Sequence, residues 1–273
     1  MDKKLFLAKA SEAAASGRTE EAMALVARDA RFWRTVLAEA DALITKMIAV
    51  AALNRHYELG NLILRSMPPT VQAPAEWSLP FTKPELSMQR VITGEWIFSS
   101  GLLRHSPHDE LESEDGAAST IAARLVAPLY QYQDTSNELA AHYANVALLL
   151  DAPLEEFPAV ISRVVKETEE TRTRLYSITL YNPAGRLALA AGLSSLDNYA
   201  VRVADLEGVR RAALLAARLR ERGIKPSDVP AALSAGDLRS PYDQQPFEWA
   251  AEGGHIVFQG LEGSERGTHR IRY

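Results

Sequence analysis

Prolines at positions 68, 69, 74 and 80 fall within the fourteen residues Met67–Pro80. Each one removes a backbone donor and clashes with the preceding turn, so no helix runs through this stretch. The rest of the chain is mostly dense in alanine and leucine, with helix breakers few and far apart. The proline stretch therefore sets the expected organisation: an N-terminal helical hairpin region over 1–66, a proline-rich linker or surface crossing over 67–82, a helical body over 83–236, and a small β module over 237–273 packed on the helices as one compact unit.

Within the first region, a helix over roughly Lys3–Ser16 ends at Gly17, the residue type best suited to the left-handed position after a helix. Thr19 is expected to cap the next helix, with Glu20 and Glu21 favouring its positive end. Ala22, Val26, Trp33 and Leu37 fall on one face of that helix, widened by Leu25, Phe32 and Val36. Asp41 starts a third helix reaching Leu64, the alternative being one long bent helix.

After the prolines, Thr82-Lys83-Pro84-Glu85 reads as a capping box. It opens a helix expected to continue to Leu103 and to bury Leu86, Val91, Trp96 and Leu103. Residues 105–116 form an acidic loop. Further helices are expected near 118–130, 135–150, 158–176, 183–192 and 196–222, with Asn182 capping the one at 183 and Gly223 closing the last. Beyond Gly236 proline, glycine and aromatic residues rise, and short strands around Phe247–Trp249, His255–Gln259 and His269–Tyr273 make an antiparallel meander too small to stand alone. The fold class is mainly α: a multi-helix bundle with a small C-terminal β meander.

Composition removes several functions. Thirty basic against thirty-five acidic residues give a net charge of −5, leaving no electrostatic footprint for a nucleic acid. The absence of cysteine removes disulfides, thiolate zinc sites and a cysteine nucleophile. The longest apolar run, Ala42–Leu53, contains Lys46 and is well short of the ~20 residues that span a bilayer. No phosphate-cradling glycine loop, dinucleotide fingerprint, H-E-x-x-H or nucleophile elbow is present, and no cofactor is expected.

Three sets of residues remain as candidate sites. Lys46, Arg55, His56 and Glu95 are polar groups inside apolar helical stretches. A buried charge needs a partner, so they are expected either to pair between helices or to converge on a ligand cavity. Trp33, Tyr57, Trp77 and Trp96 are core aromatics or the lining of a groove for a partner. His105, His108 and Asp109, beside Glu110, Glu112 and Glu114, are a possible zinc or calcium ligand set in an acidic loop.

The segment GRTEEAMALVARDARFW resembles the hinge between paired helices of tetratricopeptide-type repeats, although Ala22 lies one position early and no second copy follows. It implies a TPR-like N-terminal α-hairpin. The C-terminal SPYDQQPFEW and GGHIVFQG, taken with YNPAGR and LITKMIAVAAL, resemble a family of membrane-anchored bacterial envelope proteins, with Ser240 where their turn usually has Asp or Asn. That resemblance implies a periplasmic or envelope location, as opposed to a cytoplasmic one, and an anchor ahead of residue 1, the only expected link to a membrane. It implies no activity. The expected function is a protein-interaction or scaffold module of the bacterial envelope, chaperone-like or immunity-like, with another protein as partner. The alternative is an enzyme or small-ligand binder built on Lys46, Arg55 and Glu95.

Overall fold

A computed structural model of the chain describes residues 5–105, 129–176, 181–192 and 196–273. Helices α1 (Leu5–Ala15), α2 (Thr19–Glu39) and α3 (Leu43–Arg65) come first. Two single-turn helices follow, α4 (Ala75–Ser78) and α5 (Lys83–Leu86), and then α6 (Gln89–His105). The remaining α-helices among the described residues are α7 (Tyr132–Ala147), α8 (Phe157–Leu175), α9 (Pro183–Gly192), α10 (Asp197–Glu221) and α11 (Val229–Ala235). Strands β1 (Glu248–Ala250), β2 (His255–Gln259) and β3 (Thr268–Arg272) close the chain as an antiparallel sheet in sequential order. The architecture is thus mainly α with a three-stranded C-terminal meander. No described helix is long and apolar enough to cross a membrane.

Helix α10 is the axis around which the rest is arranged. It is buried on nearly every face from Ala200 to Leu219, because alanines, leucines and valines surround its few charges. It packs against α3 on one side and β2 and β3 on another. Gly208 makes the second contact possible, since a Cβ there would overlap the Phe258 ring. The buried apolar side chains of hairpin, body and sheet form one contiguous core.

The proline stretch is fastened to this core. Its carbonyls have few backbone donors to pair with, so arginines reach in from the helices. Arg34 donates to the carbonyl oxygens of Glu76, Leu79 and Pro80, Arg210 to that of Trp77 and Arg220 to that of Val71. Trp77 itself is fully buried, so the segment is more than a surface crossing.

Several local expectations need correction. Thr19 is the first residue of α2 and not its cap; Arg18 holds the cap position with no side-chain capping bond. The capping box at Thr82 is present, but its helix stops after one turn at Ser87 and a new one begins at Gln89. Val91 is buried as expected, while Leu86, Trp96 and Leu103 are half-buried. Asn182 sits at a φ of 50°, and its carbonyl oxygen accepts the Arg186 N–H of the helix it precedes at 3.0 Å. Its side chain accepts the Gln131 N–H and donates to Asp134 and Thr135, tying α9 to the start of α7. All but the last two residues of the helix expected near 118–130, and nearly all of the acidic loop, lie outside the described residues.

Candidate functional site

A groove of about 970 Å³ opens between α1, α2 and α3. Its longest wall is α3 with its C-cap Ser66; beside Ala51 and Ile63 it contributes Ile48, Ala52, Arg55, Leu59, Leu62 and Ser66. These positions are spaced 4-3-4-3-4, the interval at which side chains on one helix form a seam for a second helix. Ile48 is 53% and Leu62 42% exposed, so the seam is uncovered. Leu7, Ala8 and Ser11 of α1 form the opposite wall, and Trp33 and Asp29 of α2 contribute the rest.

Beneath the groove runs a chain of three buried polar side chains. Asp29 Oδ2 lies 2.7 Å from His56 Nδ1, and the Trp77 indole N–H donates to His56 Nε2 at 2.9 Å. An indole nitrogen only donates, so His56 Nε2 is the acceptor and its proton sits on Nδ1, directed at Asp29. Both ring nitrogens are therefore engaged within the protein, which leaves neither free to ligate a metal ion. Trp77 also lies edge-on to His56 and Tyr57, and it fits because Gly60 has no side chain, where a Cβ would come within 2.6 Å of the ring.

Of the residues expected at a site, Trp33 and Arg55 line the groove and His56 lies under it. The others are elsewhere. Lys46 is nine residues before Arg55, about 180° around the same helix, and is buried in the core. Its Nζ donates to the carbonyl oxygens of Leu37 and Glu85 at 2.9 and 3.0 Å. Burial lowers its pKa to about 8, against the opposing pull of Glu85. Glu95 accepts the backbone N–H of Leu43 at 3.2 Å, serving one of the free donors at the start of α3. Gly94 permits that approach, because a Cβ would overlap the Asp41 carbonyl. Arg55 is at the surface, 3.3 Å from Glu58. Lys46, Arg55 and Glu95 thus face three different surroundings and share no cavity. Trp96 is half-buried against the core, and its Nε1–H has no acceptor among the described residues.

His105 closes α6, while His108 and Asp109 lie outside the described residues. Among the described residues no group of three or more histidine and carboxylate side chains is placed to hold a metal ion.

Charge is paired where α10 crosses the core. Glu207 accepts from Arg210 through both oxygens, at 2.6 and 2.9 Å. It also accepts from Arg211 and from the Phe81 N–H. Its carboxyl stays below the usual range because the arginine bonds outweigh its burial. Arg34 similarly meets Glu85 through two bonds of 2.6 and 2.9 Å.

Sequence reasoning missed Asp29 and the α3 seam. Asp29 follows Ala22 by seven residues and so falls on the apolar stripe of α2, which is the available signal. The seam was hidden because Leu43, Ala49, Val50 and Leu53 make α3 apolar on its core side as well.

Fold and groove together define a mainly α protein with an open helix-sized cleft in its N-terminal three helices. No protein-family model, no curated protein and no solved structure matches the chain.

Proposed function

We propose that the protein is an interaction module that holds an amphipathic helix of another protein in the α1–α3 groove, within the bacterial cell envelope. The observation that carries the reading is the uncovered 4-3-4-3-4 seam of α3. Its six positions span about 27 Å at 1.5 Å per residue, the length of a five-turn helix. Exposed apolar patches of this kind mark association surfaces, and helix-in-groove docking reads anchors at i, i+3, i+4 and i+7. Arg55 is the charged position in the seam, so the occupant carries an apolar face with an acidic residue opposite it. The envelope location rests on the resemblance of the C-terminal SPYDQQPFEW segment.

A photo-crosslinking residue placed at Ile48 in cells would capture the occupant and map the segment bound. A synthetic peptide of that segment should bind the purified full chain, and Arg55→Glu should weaken binding at least tenfold. Replacing the peptide's acidic residue by lysine should restore it to that variant. A crosslinked segment that binds Arg55→Glu and a Leu62→Glu variant as well as the wild type would overturn the reading.

A further inference from the structure

On the neighbouring face of α3 a second and smaller cavity, of about 160 Å³, lies between α3, α10 and the C-terminal module. It shares only Ala51 with the groove. Three of its lining residues each keep a buried polar atom that has no hydrogen-bond partner among the described residues: Asn54 Oδ1, Asp205 Oδ2 and His269 Nε2. Buried polar atoms are nearly always paired, so three in one cavity point to a missing occupant.

Asp205 is 2% exposed and is held rigidly. Its Oδ1 accepts the Tyr242 hydroxyl at 2.6 Å and the Leu261 N–H at 3.1 Å. Its Oδ2 lies 4.0 Å from His269 Nε2, too far for a hydrogen bond. His269 is fixed by stacking on Phe258. Gly260 lets its backbone pack closely against the carboxylate, since a Cβ there would overlap Asp205. The second carboxylate of the lining, Glu262, is already matched by Arg202 at 2.7 Å. What remains is a deep unmatched acceptor pair, Asp205 and Asn54, and an exposed cation, Arg266, with no ion pair among the described residues.

We propose that this cavity binds a small zwitterion of the free α-amino acid class, its ammonium group on Asp205 Oδ2 and Asn54 Oδ1 and its carboxylate toward Arg266. An ammonium supplies three donors to acceptors that have none, and a guanidinium is suited to a carboxylate. The volume accommodates about five waters, or one molecule with a very short side chain. His269 Nε2 supplies the third polar contact.

Calorimetric titration of the purified full chain with glycine, L-alanine and L-serine tests the assignment, with methylamine and acetate as the two half-ligands. At least one amino acid should bind saturably at one site, and at least tenfold more tightly than either half-ligand. Arg266→Ala, at an exposed position, and Asn54→Leu, which fills the cavity, should each weaken it tenfold or more, with circular dichroism confirming that both variants fold. No saturable binding by any of the three amino acids would mean that the cavity holds only water. That result, methylamine binding as well as the amino acids, or full affinity in Arg266→Ala would overturn the proposal. None of these outcomes bears on the α3 groove.

Discussion

The Trp77 indole N–H donates to His56 Nε2 at 2.9 Å, so the proline-rich crossing dictates which nitrogen of a histidine on α3 carries the proton. Trp77→Phe removes that donor and leaves Nε2 buried and unpaired, which costs about 1–3 kcal/mol. Urea denaturation should show the lowered midpoint. In the wild type, nitrogen NMR should report the Nδ1–H tautomer of His56, and an Nε2–H signal would contradict the assigned network.

Lys46 makes stability depend on pH in the alkaline range. Its folded pKa of about 8 lies below its ordinary value of 10.5, so between these values the unfolded chain binds more protons than the folded one. Stability from this group therefore rises with pH, by about 2 kcal/mol between pH 8 and 10. Tyr57 and Tyr242, whose hydroxyl pKa values burial raises, oppose the trend only above about pH 10. Chemical denaturation at pH 8, 9 and 10 should show the rise in the wild type and its absence in Lys46→Gln. Parallel slopes for the two proteins would refute the assignment.

Glu207→Ala should be among the most damaging single changes. It leaves Arg210, itself 3% exposed, without its carboxylate and takes the acceptor from the Phe81 N–H. Breaking a buried pair in this way costs about 3–5 kcal/mol. The thermal midpoint should fall steeply, while a drop of only a degree or two would show that the pair is solvated.

Two glycines should respond to alanine in opposite directions. Gly208 faces the Phe258 ring with no room for a methyl group, so Gly208→Ala should destabilise by about 1–3 kcal/mol. Gly101 stands within α6 with open space around it, so Gly101→Ala should stabilise by about 0.5–1 kcal/mol. Equal effects at the two sites would mean that α10 and the sheet are less closely packed than the structure has them.

Elements were legible in the sequence where the signal is local. Gly17 and Gly223 end α1 and α10 at φ values of 74° and 65°. The Thr82 capping box forms, and the three strands lie where alternation and glycine placed them. The site was only partly legible. Trp33 and Arg55 stood out as an aromatic and a charge in apolar surroundings, and both line the groove. Lys46 and Glu95 stood out equally and proved to serve free backbone groups. A polar residue in an apolar run says that a partner is needed, but not which one.

The sequence by itself determined that the chain is helical, where its helices break and that a short β meander ends it, because periodicity, prolines and glycines act within a few residues. Only the tertiary structure decided that α10 lies at the centre, that Trp77 locks His56, that Asp205 keeps an unmatched oxygen and that the α3 seam stays open. Each of those depends on contacts between segments far apart in the chain. Burial and pairing are properties of two surfaces meeting, and one strand of sequence describes only one of them.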